Sequence, residues 1–191
     1  MLYKYLSFIS IGLFLVGCKA STDQLIREGI RLKDKGDYLG AIAKFSAVID
    51  RNSKLQIAYF DEAICYSNLK DYGKALGNLN KILAMHGSGS MELIMNPDGP
   101  FATEEDKAYV PRMTIIFQRA QINYSMDSFR NSFDDFKTCL ENDYQKNDCY
   151  LWLGTIYIKC GNKAKGCELY KKANVFGNNE DAIRLIKNNC N

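Results

Sequence analysis

Seven cysteines and one histidine are the groups in this 191-residue chain best able to do chemistry. The cysteines are Cys18, Cys65, Cys139, Cys149, Cys160, Cys167 and Cys190. None shows the Cys-x-x-Cys spacing that sets two thiolates on one structural zinc ion. His86 lies in the run His86-Gly87-Ser88-Gly89-Ser90, with no second histidine to complete a metal pair. The acidic pairs Glu104-Glu105 and Asp134-Asp135 could serve paired-carboxylate chemistry, but they read as charge at a helix start and on a helix surface. Nucleophile-elbow, phosphate-loop and His-Glu-x-x-His patterns do not occur. These residues lead us to expect no enzyme, no cofactor and no metal.

The elements around the cysteines decide what they do. Near the amino terminus, Lys4 precedes an apolar run from Leu6 to Val16, which ends in Leu15-Val16-Gly17-Cys18. The run suits a signal-peptide core and is too short for the roughly 20 residues that span a bilayer. Its ending resembles the lipobox of bacterial lipoproteins. That resemblance implies a leader over 1–17, a diacylglycerol on Cys18 and a tether over 18–23. Lys19 stands where an aspartate would signal inner-membrane retention, so the expected location is the cell envelope, lipid-anchored at the outer membrane. Export also sets the redox compartment, where disulfides form.

The remaining chain repeats itself. Gly36-Asp37-Tyr38-Leu39-Gly40-Ala41-Ile42 answers to Lys70-Asp71-Tyr72-Gly73-Lys74-Ala75-Leu76, with Ala41 and Ala75 34 positions apart. Asp127-Ser128-Phe129-Arg130-Asn131-Ser132-Phe133 answers in the same way to Gly161-Asn162-Lys163-Ala164-Lys165-Gly166-Cys167. The 57 positions between Ala75 and Ser132 are one period plus an insertion of 23. The pattern resembles the tetratricopeptide repeat (TPR), in which small residues of two paired helices meet and let the helices approach. Those places hold Gly29, Ala63, Ala120 and Gly154 on first helices, and Ala41, Ala75, Ser132 and Gly166 on second helices. Larger core positions hold Leu32, Tyr66 and Tyr157, then Phe45, Leu79, Phe136 and Tyr170. Asn123 stands where a large apolar residue is expected, so the third repeat should pack loosely there. The proline that usually follows each second helix is missing.

The resemblance implies an all-α, right-handed helical-hairpin solenoid of about four repeats over 24–191, at about 22–55, 56–87, 113–146 and 147–180. Cys167, Tyr170, Ala173, Gly177, Ala182 and Leu185 resemble the related Sel1-like variant. A capping helix is expected over about 180–190, because a solenoid must cover its last apolar face. The insertion, about 88–112, carries an apolar patch from Met91 to Met95, the turn Asn96-Pro97-Asp98-Gly99-Pro100 and a helix-capping Thr103 with Asp106. It reads either as a long surface loop or as a contact element.

Residues on antiparallel neighbours can meet only when equally far from the turn between them. Cys167 and Cys190 flank the Gly177-Asn178-Asn179 turn in this way, and Cys139 and Cys149 flank the Glu141–Lys146 connection. These are the candidate disulfides, although Cys160 competes for Cys167. Cys65 has no evident mate and reads as a small buried residue.

TPR stacks bind partners along the concave face of their first helices. Carried onto this register, that face selects Ile26, Ile30, Phe60, Asp61, Ile64, Phe117, Gln121, Tyr124, Leu151, Trp152 and Thr155. The aromatic members Phe60, Phe117 and Trp152 would anchor an apolar peptide or helix. The carboxylate clamp of chaperone-binding TPR domains is not repeated, since Ile26, Ile30, Asp61, Thr114 and Gln118 stand in its place. The implied function is a membrane-anchored scaffold with a protein or peptide partner, or more narrowly a pilotin-like accessory lipoprotein of an envelope or secretion machine. An enzyme subunit is the competing class. Charge is near balance, with 25 basic and 22 acidic residues scattered along the chain, so no nucleic-acid partner is expected.

Overall fold

The computed structural model describes residues 20–86, 108–174 and 179–190. Among these there are helices and no strand: α1 (Thr22–Asp34), α2 (Tyr38–Arg51), α3 (Gln56–Asn68), α4 (Tyr72–Met85), α5 (Arg112–Ser125), α6 (Phe129–Glu141), α7 (Lys146–Lys159), α8 (Lys163–Asn174) and α9 (Glu180–Asn189). The leader, Cys18 and the insertion up to residue 107 lie outside the described residues, as does the turn at 175–178.

Each consecutive pair, α1–α2, α3–α4, α5–α6 and α7–α8, forms an antiparallel hairpin closed by the same turn. Gly36, Lys70, Asp127 and Gly161 all adopt positive φ, between 56° and 83°. The next residue then donates its N–H back to the first helix: Asp37 to Leu32, Asp71 to Tyr66, Ser128 to Asn123 and Asn162 to Tyr157. This satisfies a carbonyl that the helix end would leave open. Glycine takes the left-handed conformation freely, whereas Lys70 and Asp127 bear a steric cost there. Three second helices begin on a side chain that caps their first turn: Asp37 accepts from Gly40 N–H, Asp71 from Lys74 and Asn162 from Lys165.

The small residues lie where the hairpin helices cross. Ala41, Ala63, Ala75, Ala120 and Ser132 are fully buried, and the Ser132 hydroxyl donates to the Ala120 carbonyl at 2.9 Å. A methyl group on Gly29 would strike the Phe45 ring. On Gly166 it would fall 2.8 Å from the Gly154 carbonyl oxygen, so α7 and α8 touch backbone to backbone.

Hairpins then stack through the second helix of one and the first helix of the next. The apolar core follows that path: Val48 with Leu55 and Ala58, Ile82 with Ile115, and Cys139 with Cys149 and Leu153. α9 packs on α8 and buries Ala182. The end of the insertion is no free surface loop. Ala108 and Val110 are buried in the core, the Ala108 carbonyl accepts from Ile57 N–H, and Val110 N–H donates to Gln56. The chain therefore returns to the start of α3 before α5 begins.

Candidate protein-binding groove

A polar position recurs beside the helix crossing of the first three hairpins. In the first hairpin Glu28 pairs with Lys44 at 2.8 Å. One repeat later Glu62 accepts from Asn78 at 2.8 Å and from Ser46 of the preceding hairpin. In the third, Arg119 holds Asp135 through two bonds, at 2.6 and 2.9 Å, and reaches Asn80 of the preceding hairpin at 3.2 Å. In the fourth the two places hold Leu153 and Leu169, both buried.

Successive first helices are tied directly at two points. Lys33 of α1 meets Asp61 of α3 at 2.6 Å. Burial outweighs that attraction and raises the Asp61 carboxyl above its ordinary value. The equivalent places on α5 and α7 hold Tyr124 and Trp152, whose rings meet edge to face with centroids 5.1 Å apart. The tie thus changes from charged to aromatic along the stack.

These contacts redistribute the residues read as groove-lining. Phe117 is buried, with Phe136 and Tyr144 edge-on at 5.3 and 5.9 Å. Trp152 is half-buried and stacks flat on Phe136. Asp61 is buried against Lys33, and the Thr155 hydroxyl lies 3.1 Å from Tyr170 Oη on the paired helix. Phe117 and Trp152 therefore brace the third and fourth hairpins, and Asp61 and Thr155 are engaged within the fold. Phe60, Ile26 and Ile30 are half-buried against neighbouring core. Ile64, Gln121 and Leu151 are half-buried on α3, α5 and α7 and join no core cluster.

The cysteines divide by environment. Cys167 is bonded to Cys190, joining α8 to the end of α9 across 23 positions. The second expected bond, Cys139–Cys149, is not formed. Both are buried thiols, and each donates to a backbone carbonyl: Cys139 to Met113 at 3.8 Å and Cys149 to Tyr144 at 3.2 Å. Cys65 is a buried thiol and Cys160 an exposed one. Among the described residues no cluster of His, Cys, Asp and Glu could hold a metal ion, and no helix is long and apolar enough to cross a membrane.

Comparison with known proteins places this geometry. No family model matches the chain. It is 29% identical to dynein axonemal assembly factor 4 of Rattus norvegicus over 124 residues, covering 60% of this chain and 28% of that protein. The counterpart from Mus musculus is 28% identical over the same length. The chain thus spans about a quarter of the curated relatives it matches. Among solved structures, MamA from Desulfovibrio magneticus RS-1 superposes with a TM-score of 0.62 at 14% identity, covering 80% of this chain and 73% of that one. The C-terminal part of a TPR repeat-containing protein from Cytophaga hutchinsonii gives 0.55 at 14%, covering 78% and 50%. The fold is an all-α TPR-like solenoid.

Proposed function

We propose that this chain is a protein-binding scaffold of the cell envelope, exported by residues 1–17 and held to the membrane by lipid on Cys18. The observation that carries the binding role is the stack itself: four hairpins present α1, α3, α5 and α7 in one register, with Ile64, Gln121 and Leu151 left uncommitted on three of them. The lipobox Leu15–Cys18 supports the anchor, and α1 begins at Thr22, so the tether is short. The C-terminal hairpin and α9 serve as a Sel1-like closing unit. Similarity to a protein named as an assembly factor favours one narrower reading, an accessory in the assembly of an envelope machine.

The test uses the full chain expressed in a bacterium that lipidates exported proteins. Mass spectrometry should find diacylglycerol on Cys18, and Cys18→Ala should release the protein from membranes. Photo-crosslinkers at Ile64, Gln121 and Leu151 should capture one common protein, whereas crosslinkers at Lys81 and Lys137 on second helices should not. An unmodified Cys18 in membrane-bound protein would remove the anchor. Equal capture from both sets of positions would remove the groove.

A further inference from the structure

The junction between the second and third hairpins differs from its neighbours by one missing ring. In the register of the repeat, Tyr66, Asn123 and Tyr157 occupy the same place on α3, α5 and α7. Tyr66 packs against the core of its hairpin, with Lys74 Nζ 5.0 Å above its ring. Tyr157 packs edge-on against Phe133, centroids 5.6 Å apart. At the middle junction asparagines replace both the ring and the covering lysine, as Asn123 and Asn131. The result is a cleft of about 350 Å³ lined by Leu76, Asn80, Arg119, Asn123, Asn131, Asp134 and Asp135, within the size range of small-ligand sites.

The chemistry of the lining selects a ligand. Asp135 and Asn123 form the floor, each 7% exposed. The Arg119 charge is matched by Asp135, and Asn123 Nδ2 donates to the same carboxylate, which leaves its amide oxygen as an acceptor. Asp134 is exposed at the rim, and its carboxylate makes no ion pair or hydrogen bond among the described residues. One uncompensated negative charge with amide acceptors around it matches a cation that carries several hydrogen-bond donors.

We propose that this cleft receives the guanidinium or ammonium end of a basic side chain from a bound protein. The site lies between α4, α5 and α6 and involves none of the uncommitted groove residues. It is a second contact, and it stands whether or not the groove reading does.

The test is an NMR titration of the full chain with N-acetyl-arginine amide and N-acetyl-lysine amide, using N-acetyl-citrulline amide as the uncharged mimic of arginine. The cationic probes should shift Asn123, Asn131 and Asp134 and bind at least about fivefold more tightly than citrulline. Asp134→Asn, a surface change that spares the fold, should bring the probes level. Asn123→Tyr, which restores the ring of the neighbouring repeats, should abolish the shifts. Equal binding of arginine and citrulline probes to the natural chain would overturn the proposal. So would undiminished binding to Asp134→Asn, or saturation by putrescine with none by the amino-acid amides.

Discussion

Glu62 and Arg119 stand at the same place in successive repeats with opposite charges, and each is matched by the residue sixteen positions further on. Asn78 answers Glu62 and Asp135 answers Arg119. Buried polar groups of this kind fix register, because any slip leaves one unpaired. Arg119→Ala should cost about 2–3 kcal/mol in chemical denaturation. That is less than the roughly 3–5 kcal/mol expected of a fully buried pair, because the Arg119 side chain is 29% exposed. The double variant Arg119→Leu/Asp135→Leu copies the Leu153 and Leu169 of the fourth repeat and should recover to within about 1 kcal/mol of the natural chain. A double variant weaker than the single would show that the pair stabilises outright.

Two helical glycines should respond in opposite directions to alanine. At Gly77 an added methyl meets nothing within 4 Å, so Gly77→Ala should stabilise by about 0.5–1 kcal/mol through helix propensity. At Gly166 the methyl would lie 2.6 Å from Ile158 and 2.8 Å from the Gly154 carbonyl, and the substitution should cost about 1–3 kcal/mol. Urea melts of the two variants against the natural chain measure both signs.

The thiols should separate by reactivity. Cys160 is exposed and should be alkylated by iodoacetamide first at pH 8, while Cys65, Cys139 and Cys149 react only as the protein unfolds. Burial pushes the Cys65 thiol up to about 11, and the neighbouring Cys139 thiol, together with burial, pushes Cys149 up as well. A raised thiol pKa contributes stability that is complete below the unfolded value, 9.0 for Cys65, and is lost as pH rises towards about 11. Cys65→Ala should therefore flatten the decline in stability over that alkaline window, which melts at stepped pH would follow.

Breaking the Cys167–Cys190 bond frees a segment of 23 positions and should lower stability by about 3 kcal/mol on the chain-entropy view. Cys190→Ser tests this without reductant. Hydrogen exchange should rise in α9 first, since terminal units fray before the interior of a solenoid. Unchanged protection in α9 would show that Ala182 packing alone holds the cap.

The hairpins were legible in the sequence because the residues at their crossings are constrained in size: Ala41, Ala75, Ser132 and Gly166 repeat as small side chains whatever else changes. The polar positions were not. Glu62, Arg119 and Leu153 share no charge, size or polarity, so a search for self-similarity passes over them. Their equivalence is visible only in what they touch. The surroundings of the aromatic groove residues were not legible either. Phe117 and Trp152 lie on the correct helices, but a modest rotation of α5 and α7 decides whether a ring faces a ligand or Phe136, and periodicity does not fix that angle. Asn123 was legible as a misfit among its repeats. The cleft it opens depends on Asn131 and Asp134 of the next helix, which only the fold brings beside it.

The change from Arg119–Asp135 to Leu153–Leu169 also gives the molecule two seams with opposite thermal behaviour. Burial of leucine against leucine weakens on cooling, because the driving force of apolar association fades at low temperature. The cost of keeping charges out of water falls on heating, which favours the seam built on Arg119. Cold should therefore loosen the stack towards its carboxyl end, within the fourth hairpin, where Leu153 meets Leu169. The Arg119–Asp135 seam of the third hairpin should hold better on heating, and a single chain would carry a different weakest point at each end of its temperature range.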